Sequence, residues 1–261
     1  MGDYETLIVD KAASVLRITL NRPKANAFNH SMIDELNAAL KDAGRDPQIR
    51  CLVLTGSGKM FSAGQDVTAF SERAGQVSFR EHLQGTYNPL IKRMRGLEKP
   101  ILGVINGPAA GAALGIALAC DLRIASEEAK FVFGFTGIGL TADSGTSLTL
   151  PLLIGLARAS HMAFTNEPLT AAQALEYGLV NKVVPAEALA EEAEKLAAKL
   201  AKGPTKAIGL TKRAFNHSQL GALESVLDYE AHLQEIAGQT RDHQEGLDAF
   251  LEKRPPEFSG E

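Results

Sequence analysis

The sequence predicts an α/β fold: a core in which strands and helices alternate, followed by a helical C-terminal part. Two apolar runs, Cys51-Leu52-Val53-Leu54-Thr55 and Ile101-Leu102-Gly103-Val104-Ile105, each end in a glycine-punctuated turn that feeds a helix. Further strand-like runs flank them. From about Gly155 the apolar residues return mostly at helical spacing, in a stretch rich in alanine. Strand units followed by a helical end read as an α/β core over 1–195 with a helical region over 196–261.

Leu7-Ile8-Val9 and Val15–Leu20 predict a hairpin around Lys11-Ala12-Ala13. Pro23, in Asn21-Arg22-Pro23-Lys24, stops the second strand because proline has no N–H for the ladder. Ile33, Leu36 and Leu40 place a helix from about Ser31, and Gly44 ends it. Cys51–Thr55 is the next strand and leads into the turn Phe61-Ser62-Ala63-Gly64-Gln65-Asp66. One helix is expected over roughly 79–95. Pro100 opens the second unit, whose turn is Asn106-Gly107-Pro108-Ala109-Ala110-Gly111-Ala112-Ala113. Asp121–Ala125 and Phe131-Val132-Phe133 are short strands. Later, one strand candidate, Val180–Val184, precedes helices over Leu189–Leu200, Thr205–Phe215, Leu223–Ile236 and Glu245–Leu251. Lys253-Arg254-Pro255-Pro256 is expected to mark the end of ordered structure.

A chain of 261 residues, 45% hydrophobic and 22% charged, has enough material for one sizeable core. Its net charge of -4 gives no global field for a polyanion, so nucleic acid is not an expected partner. Cys51 and Cys120 sit in apolar runs and read as small core residues rather than a disulfide pair. The six histidines show no metal-like spacing, and no metal is expected. The most apolar stretch, Ile101–Cys120, is too interrupted by glycine, proline and Asn106 to span a bilayer. Met1-Gly2-Asp3 opens a formal myristoylation pattern with no basic patch to support it. The expectation is a soluble cytoplasmic protein without membrane attachment.

The two turns present backbone N–H groups at helix starts. Two such donors converging on one carbonyl oxygen stabilise negative charge as it develops. Asp143 follows them, among Phe131, Phe133, Phe135, Ile138 and Leu140, and burial there would raise its pKa toward neutrality. A carboxyl group tuned in that way moves protons. The competing readings are structural: tight packing for Ala109–Ala113, an N-cap for a helix near Ser144 in the case of Asp143, and a cap or turn former for Asp66. Ser62 and Ser144 have no base beside them, which disfavours covalent hydrolysis.

Asn21-Arg22-Pro23-Lys24-Ala25-Asn26-Ala27, Phe61–Asp66, Lys99-Pro100 through Asp121 and Ala249-Phe250-Leu251-Glu252-Lys253-Arg254 together resemble the enoyl-CoA hydratase/isomerase (crotonase) superfamily. The resemblance runs in register along nearly the whole chain. It implies a crotonase-like spiral of ββα units with a C-terminal helical trimerisation region, assembled as a homotrimer or a dimer of trimers. Acyl-CoA thioesters are the implied substrates, with coenzyme A part of the substrate and no separate cofactor. The oxyanion donors fall on the N–H groups of Gln65 and Ala112, and the proton carrier on Asp143. Arg22, Lys24, Ala25, Ala27, Ala63, Gly64, Asp66, Val67 and Gly111 fall where the family holds coenzyme A. Phe250 and Lys253 match residues that reach it from a neighbouring subunit.

The positions where hydratases of this family carry two glutamates are Gly115 and Phe135, neither of which can move a proton. The segment Lys130–Gly145 instead resembles the subgroup that isomerises the ring epoxide of phenylacetyl-CoA, which carries one aspartate at the position of Asp143. Thr141-Ala142 departs from it, since a proline is more usual there. The resemblance therefore implies an isomerase, and leaves room for a partner hydratase of the same pathway. An aliphatic Δ3,Δ2-enoyl-CoA isomerase, a hydratase with unusual water activation and a non-catalytic acyl-CoA-binding scaffold stand as alternatives.

Overall fold

Alternating apolar residues in the early strands build a sheet with material on both faces. The computed structural model describes residues 4–23, 25–68 and 78–261. Strands β1 (Leu7–Ala12) and β2 (Val15–Leu20) pair antiparallel. Strands β3 (Cys51–Gly56), β4 (Ile101–Ile105), β6 (Leu122–Ser126) and β9 (Lys182–Val184) add in parallel, giving the order β1-β2-β3-β4-β6-β9. A second sheet joins β5 (Ala109–Ala110), β7 (Lys130–Val132) and β8 (Leu169–Thr170) in the order β5-β7-β8.

Successive residues of a strand face opposite sides. In β3, Leu52 and Leu54 enter the main core, while Cys51 and Val53 lie under the helix Leu189–Lys202. Leu189, Ala193, Ala197 and Ala201 recur every four residues and form the stripe that covers this face. The helix runs through residue 195, the position of the expected division. Cys51 and Cys120 are both buried and free. Among the described residues, no helix is long and apolar enough to cross a membrane, and no cluster of acidic, His or Cys side chains is arranged to hold a metal.

Several elements differ from expectation. The first hairpin turns at Ala13-Ser14, both at positive φ, which carries β1 through Ala12. The helix expected over 79–95 is two helices, Phe79–Gly85 and Tyr87–Gly96, broken at Thr86. Pro89 lacks an N–H and is best accommodated in a first turn, and the second helix restarts just before it. Strand β8 has no signature in the sequence, because two residues are too few to show a pattern. The tail does not lose its structure after Pro256: the Ser259 and Gly260 amides donate to the Asp242 carboxylate, and the Glu257 amide donates to Glu245. The last helix, Arg241–Glu252, thus supplies carboxylates that satisfy the tail's backbone. The myristoylation pattern opens on residues outside the described ones.

Candidate active site

Two glycines allow the two turns to meet. Phe61 and Ser62 N–H groups donate to the Pro108 carbonyl, and Ala110 N–H donates back to Ser62 O at 3.2 Å, around a parallel bridge between Ser62 and Ala109. Gly64 sits at φ +87, and a Cβ there would lie 2.5 Å from Ala110 O, so only glycine lets the two backbones approach. Gly111, at φ 56 and ψ -127, caps the helix Ala112–Ala119 in a conformation that side chains avoid.

The helix Ala112–Ala119 begins at Ala112, whose N–H therefore has no intrahelical partner. Gln65 is bridged to Phe28 through its neighbours: Phe28 donates to Gly64 O and Asp66 donates to Phe28 O. The Gln65 N–H thus points away from that bridge. Among the described residues, neither N–H has a hydrogen-bond acceptor.

Both residues line a cavity of about 300 Å³ whose wall includes Phe79, Phe135, Ile138, Leu140, Leu247 and Phe250. Asp143 lies in the same wall and is 7% exposed. Its Oδ1 accepts from Ser144 Oγ at 2.8 Å and its Oδ2 from Gln234 Nε2 at 3.0 Å. Burial pushes its pKa up to about 7; the nearby Glu230 carboxylate pushes the same way, and the two hydrogen bonds pull against them. Asp143 is not a side-chain cap. The following helix starts at Thr146 with Gly145 at its cap, and Glu230 accepts from the Gly145 and Ser147 amides there.

On the wall beside Gln65, Tyr87 OH donates to Gln65 Oε1 at 2.7 Å, and His82 Nε2 lies 3.3 Å from the same oxygen. Burial, helped by the His30 ring, lowers the His82 pKa to about 4, so it is neutral at pH 7. Burial and then Asp143 hold the Tyr87 phenol well above its ordinary value.

Ala63, Gln65, Val67, Gly111, Ala112, Asp143 and Phe250 all reach this cavity, with Gly64 behind them. Arg22 is instead occupied by Asp66 at 2.7 Å and by the Ala27 carbonyl at 3.0 Å. Asp66 also accepts from Thr68 N–H, as a turn former does. Ala25 O accepts from Ala63 N–H and ties this loop to the first turn. Lys24 lies outside the described residues. Lys253 is exposed at the left-handed end of the last helix and is absent from the cavity wall, whereas Phe250 borders its own chain's cavity.

Gly115 has no space for a side chain: a Cβ would sit 2.5 Å from Ser144 Cβ and 2.8 Å from Thr146 Oγ1. Phe135 packs edge-on against Phe133, with ring centroids 5.1 Å apart. Sequence reasoning missed Glu230 and Gln234. Their signal was available, since both fall on the buried stripe Leu223, Leu227, Glu230, Ala231, Gln234, where polar residues demand a partner.

Two unpartnered amides beside a carboxyl group that titrates near neutrality form a site able to hold an oxyanion while a proton moves. That is the site class of enzymes acting on CoA thioesters. The chain belongs to the enoyl-CoA hydratase/isomerase family, which it matches over residues 10–261, and it has the crotonase fold. It is 42% identical over 249 residues to the 1,2-epoxyphenylacetyl-CoA isomerase of Escherichia coli K12, covering 94% of this chain and 95% of that one. It is 40% identical over 258 residues to a probable enoyl-CoA hydratase of Rhodobacter capsulatus, covering 98% and 99%. The crystal structure of an enoyl-CoA hydratase from Mycobacterium avium subsp. paratuberculosis K-10 superimposes with a TM-score of 0.89 at 34% identity, covering 98% of this chain and all of that one.

Proposed function

We propose that this protein is a CoA-thioester isomerase that moves one proton along its substrate with Asp143. The observation that carries the reading is that Asp143 is the single carboxylate among the described residues of the cavity wall. The Gln65 and Ala112 N–H groups hold the thioester oxygen and stabilise the enolate. The Asp143 carboxylate takes a proton from the carbon next to the thioester, and the C–H electron pair enters the enolate. The same proton then returns to a carbon further along the chain or ring, which shifts the double bond and regenerates the carboxylate. Water addition needs a second group to activate water, and the tight packing at Gly115 and the phenyl ring at Phe135 supply none.

The favoured acyl group is the ring epoxide of phenylacetyl-CoA, as in phenylacetate breakdown: the ring carbon–carbon bond under the epoxide oxygen opens to give the seven-membered oxepin, and the proton then moves from the carbon next to the thioester to a ring carbon. The aromatic wall of Phe79, Phe135 and Phe250 and the likeness to the E. coli isomerase support it. No cofactor is required beyond the coenzyme A of the substrate. Backbone around Lys24–Ala27 and Ala63–Val67 would hold that group, with Phe250 and Lys253 at the far end. A trimer or dimer of trimers is the proposed assembly; Leu156, Phe164 and Phe215, 72%, 81% and 64% exposed in the single chain, support burial against other copies. A pathway hydratase is the proposed partner for the product.

The hydratase reading persists because relatives of comparable identity carry hydratase names. A panel of thioesters separates the readings: 3-enoyl-CoA, 2-enoyl-CoA and 1,2-epoxyphenylacetyl-CoA, each followed to product. Isomerisation without water uptake is the expected result. Hydration of the 2-enoyl substrate as the fastest reaction would overturn the proposal, and binding without any turnover would make the chain a scaffold.

A further inference from the structure

We infer that Gln234 is the positioning residue for the Asp143 carboxylate, so that a helix of the C-terminal region completes the catalytic loop. This rests on the reading of Asp143 as the proton carrier. Gln234 is 1% exposed on the helix Leu223–Ala237. Both ends of its side-chain amide are used: Oε1 accepts from Thr141 N–H at 3.1 Å, and Nε2 donates to Asp143 Oδ2 at 3.0 Å. Because the amide is planar, the two bonds set the loop and the carboxylate relative to each other. Packing alone would be served as well by an apolar side chain, without the cost of desolvating an amide.

The loop needs such help. Ser144 is at φ 57 and Gly145 at φ 74, two consecutive left-handed residues, and the first of them carries a side chain. One helical turn before Gln234, Glu230 accepts from the Gly145 and Ser147 amides at 2.8 and 2.9 Å. The loop from 141 to 147 therefore hangs from one face of one helix. Rotation of the Asp143 carboxylate would break its bonds to Ser144 and Gln234 together. With one donor on each, both oxygens keep a lone pair for the substrate.

The groups facing Asp143 are Glu230 on Leu223–Ala237 and Tyr87 on Tyr87–Gly96, with His82 and His243 elsewhere in the same cavity wall. Removing the Gln234 donor takes away a bond that favours ionised Asp143. The acid limb of the rate should then move to higher pH.

The test compares Gln234→Met and Gln234→Glu in the full chain, using whichever thioester of the panel turns over. In each variant kcat should fall about tenfold or more while KM stays within about twofold, the pattern of a lost chemical-step contribution. The acid limb of kcat should rise by about one pH unit. Gln234→Glu keeps the shape and the acceptor for Thr141 but sets a second carboxyl beside Asp143 Oδ2, so its limb should rise further than that of Gln234→Met; if the Met variant does not fold, Gln234→Leu takes its place. A folded variant with the wild-type kcat and an unmoved limb would overturn the proposal, even with a lower Tm. In an Asp143→Asn background, Gln234→Met should lower the residual rate far less than it lowers the wild-type rate. If Asp143→Asn alone keeps near-native turnover, the proton-carrier reading fails; if it is inactive while the Gln234 variants keep rate and limb, only the positioning role falls.

Discussion

The Tyr87 hydroxyl donates to Gln65 Oε1 at 2.7 Å from a ring that is 1% exposed. The phenol thus fixes the side chain of a cavity-wall residue whose N–H is proposed to hold the thioester oxygen. Tyr87→Phe keeps the ring's edge contact with Phe28 and removes only this bond. A neutral hydrogen bond is worth about 1 kcal/mol, so kcat/KM should fall roughly fivefold with little change in fold. Unchanged kcat/KM would show that the Gln65 amide holds its aim without Tyr87.

Asp143→Asn should bind the CoA thioester with near-native affinity and lower the isomerisation rate by about 10² or more, the scale of losing a general acid–base. The asparagine keeps the size and can still accept from Ser144. Calorimetry for binding and a turnover assay for rate check the two halves separately. Near-native turnover would remove Asp143 from the proton path.

In the proposed mechanism the carboxylate form of Asp143 takes the proton, so kcat/KM should rise with pH through about 7 and level off above it. Stability should run the other way. Because burial raises the folded-state pKa above the usual 3.8, the folded protein holds this proton where the unfolded chain has released it. Its contribution is complete below about 3.8 and is lost as pH rises through about 7. Thermal unfolding followed over this range should show that part of the slope disappear in Asp143→Asn.

Wild-type protein should hydrate crotonyl-CoA far more slowly than it isomerises its preferred thioester. Gly115→Ala should also destabilise the fold by about 1–3 kcal/mol, the usual cost of overpacking, since its methyl meets Ser144 Cβ. Denaturant unfolding measures the second effect. A neutral Gly115→Ala would mean that the loop carrying Ser144 yields easily.

Lys253→Ala should weaken coenzyme A thioester affinity about tenfold or more, as loss of a charge-assisted bond does, while leaving kcat nearly intact. Its place on the exposed end of the last helix separates a loss of affinity from a loss of fold. Unchanged affinity in the intact oligomer would exclude it from the binding surface.

Much of this is legible in the sequence alone. Cys51–Thr55 and Ile101–Ile105 announce buried parallel strands by their unbroken apolar runs, and their glycine turns mark where amides are left open. Asp143 stands out as an acid among phenylalanines. The long-range partners are harder to see. Gln234 lies 91 residues from Asp143, and no local pattern ties the two together. The resemblance places Arg22 among the positions that hold coenzyme A, whereas Asp66, 44 residues away, takes its guanidinium. The break at Thr86 is visible in Pro89, but helical spacing on both sides of it disguises the interruption.

The contact between Gly115 and Ser144 bears on how such a site can evolve. A glutamate introduced at 115 would arrive before the backbone had room for its first carbon, and the chain would lose stability before it gained a second acid. The benefit of that substitution depends on earlier change at 144 or in the loop around it. Substitutions at 115 and 144 are therefore epistatic, and their order decides whether an intermediate survives selection. With this packing in place, change toward a two-carboxylate site meets a valley at its first step.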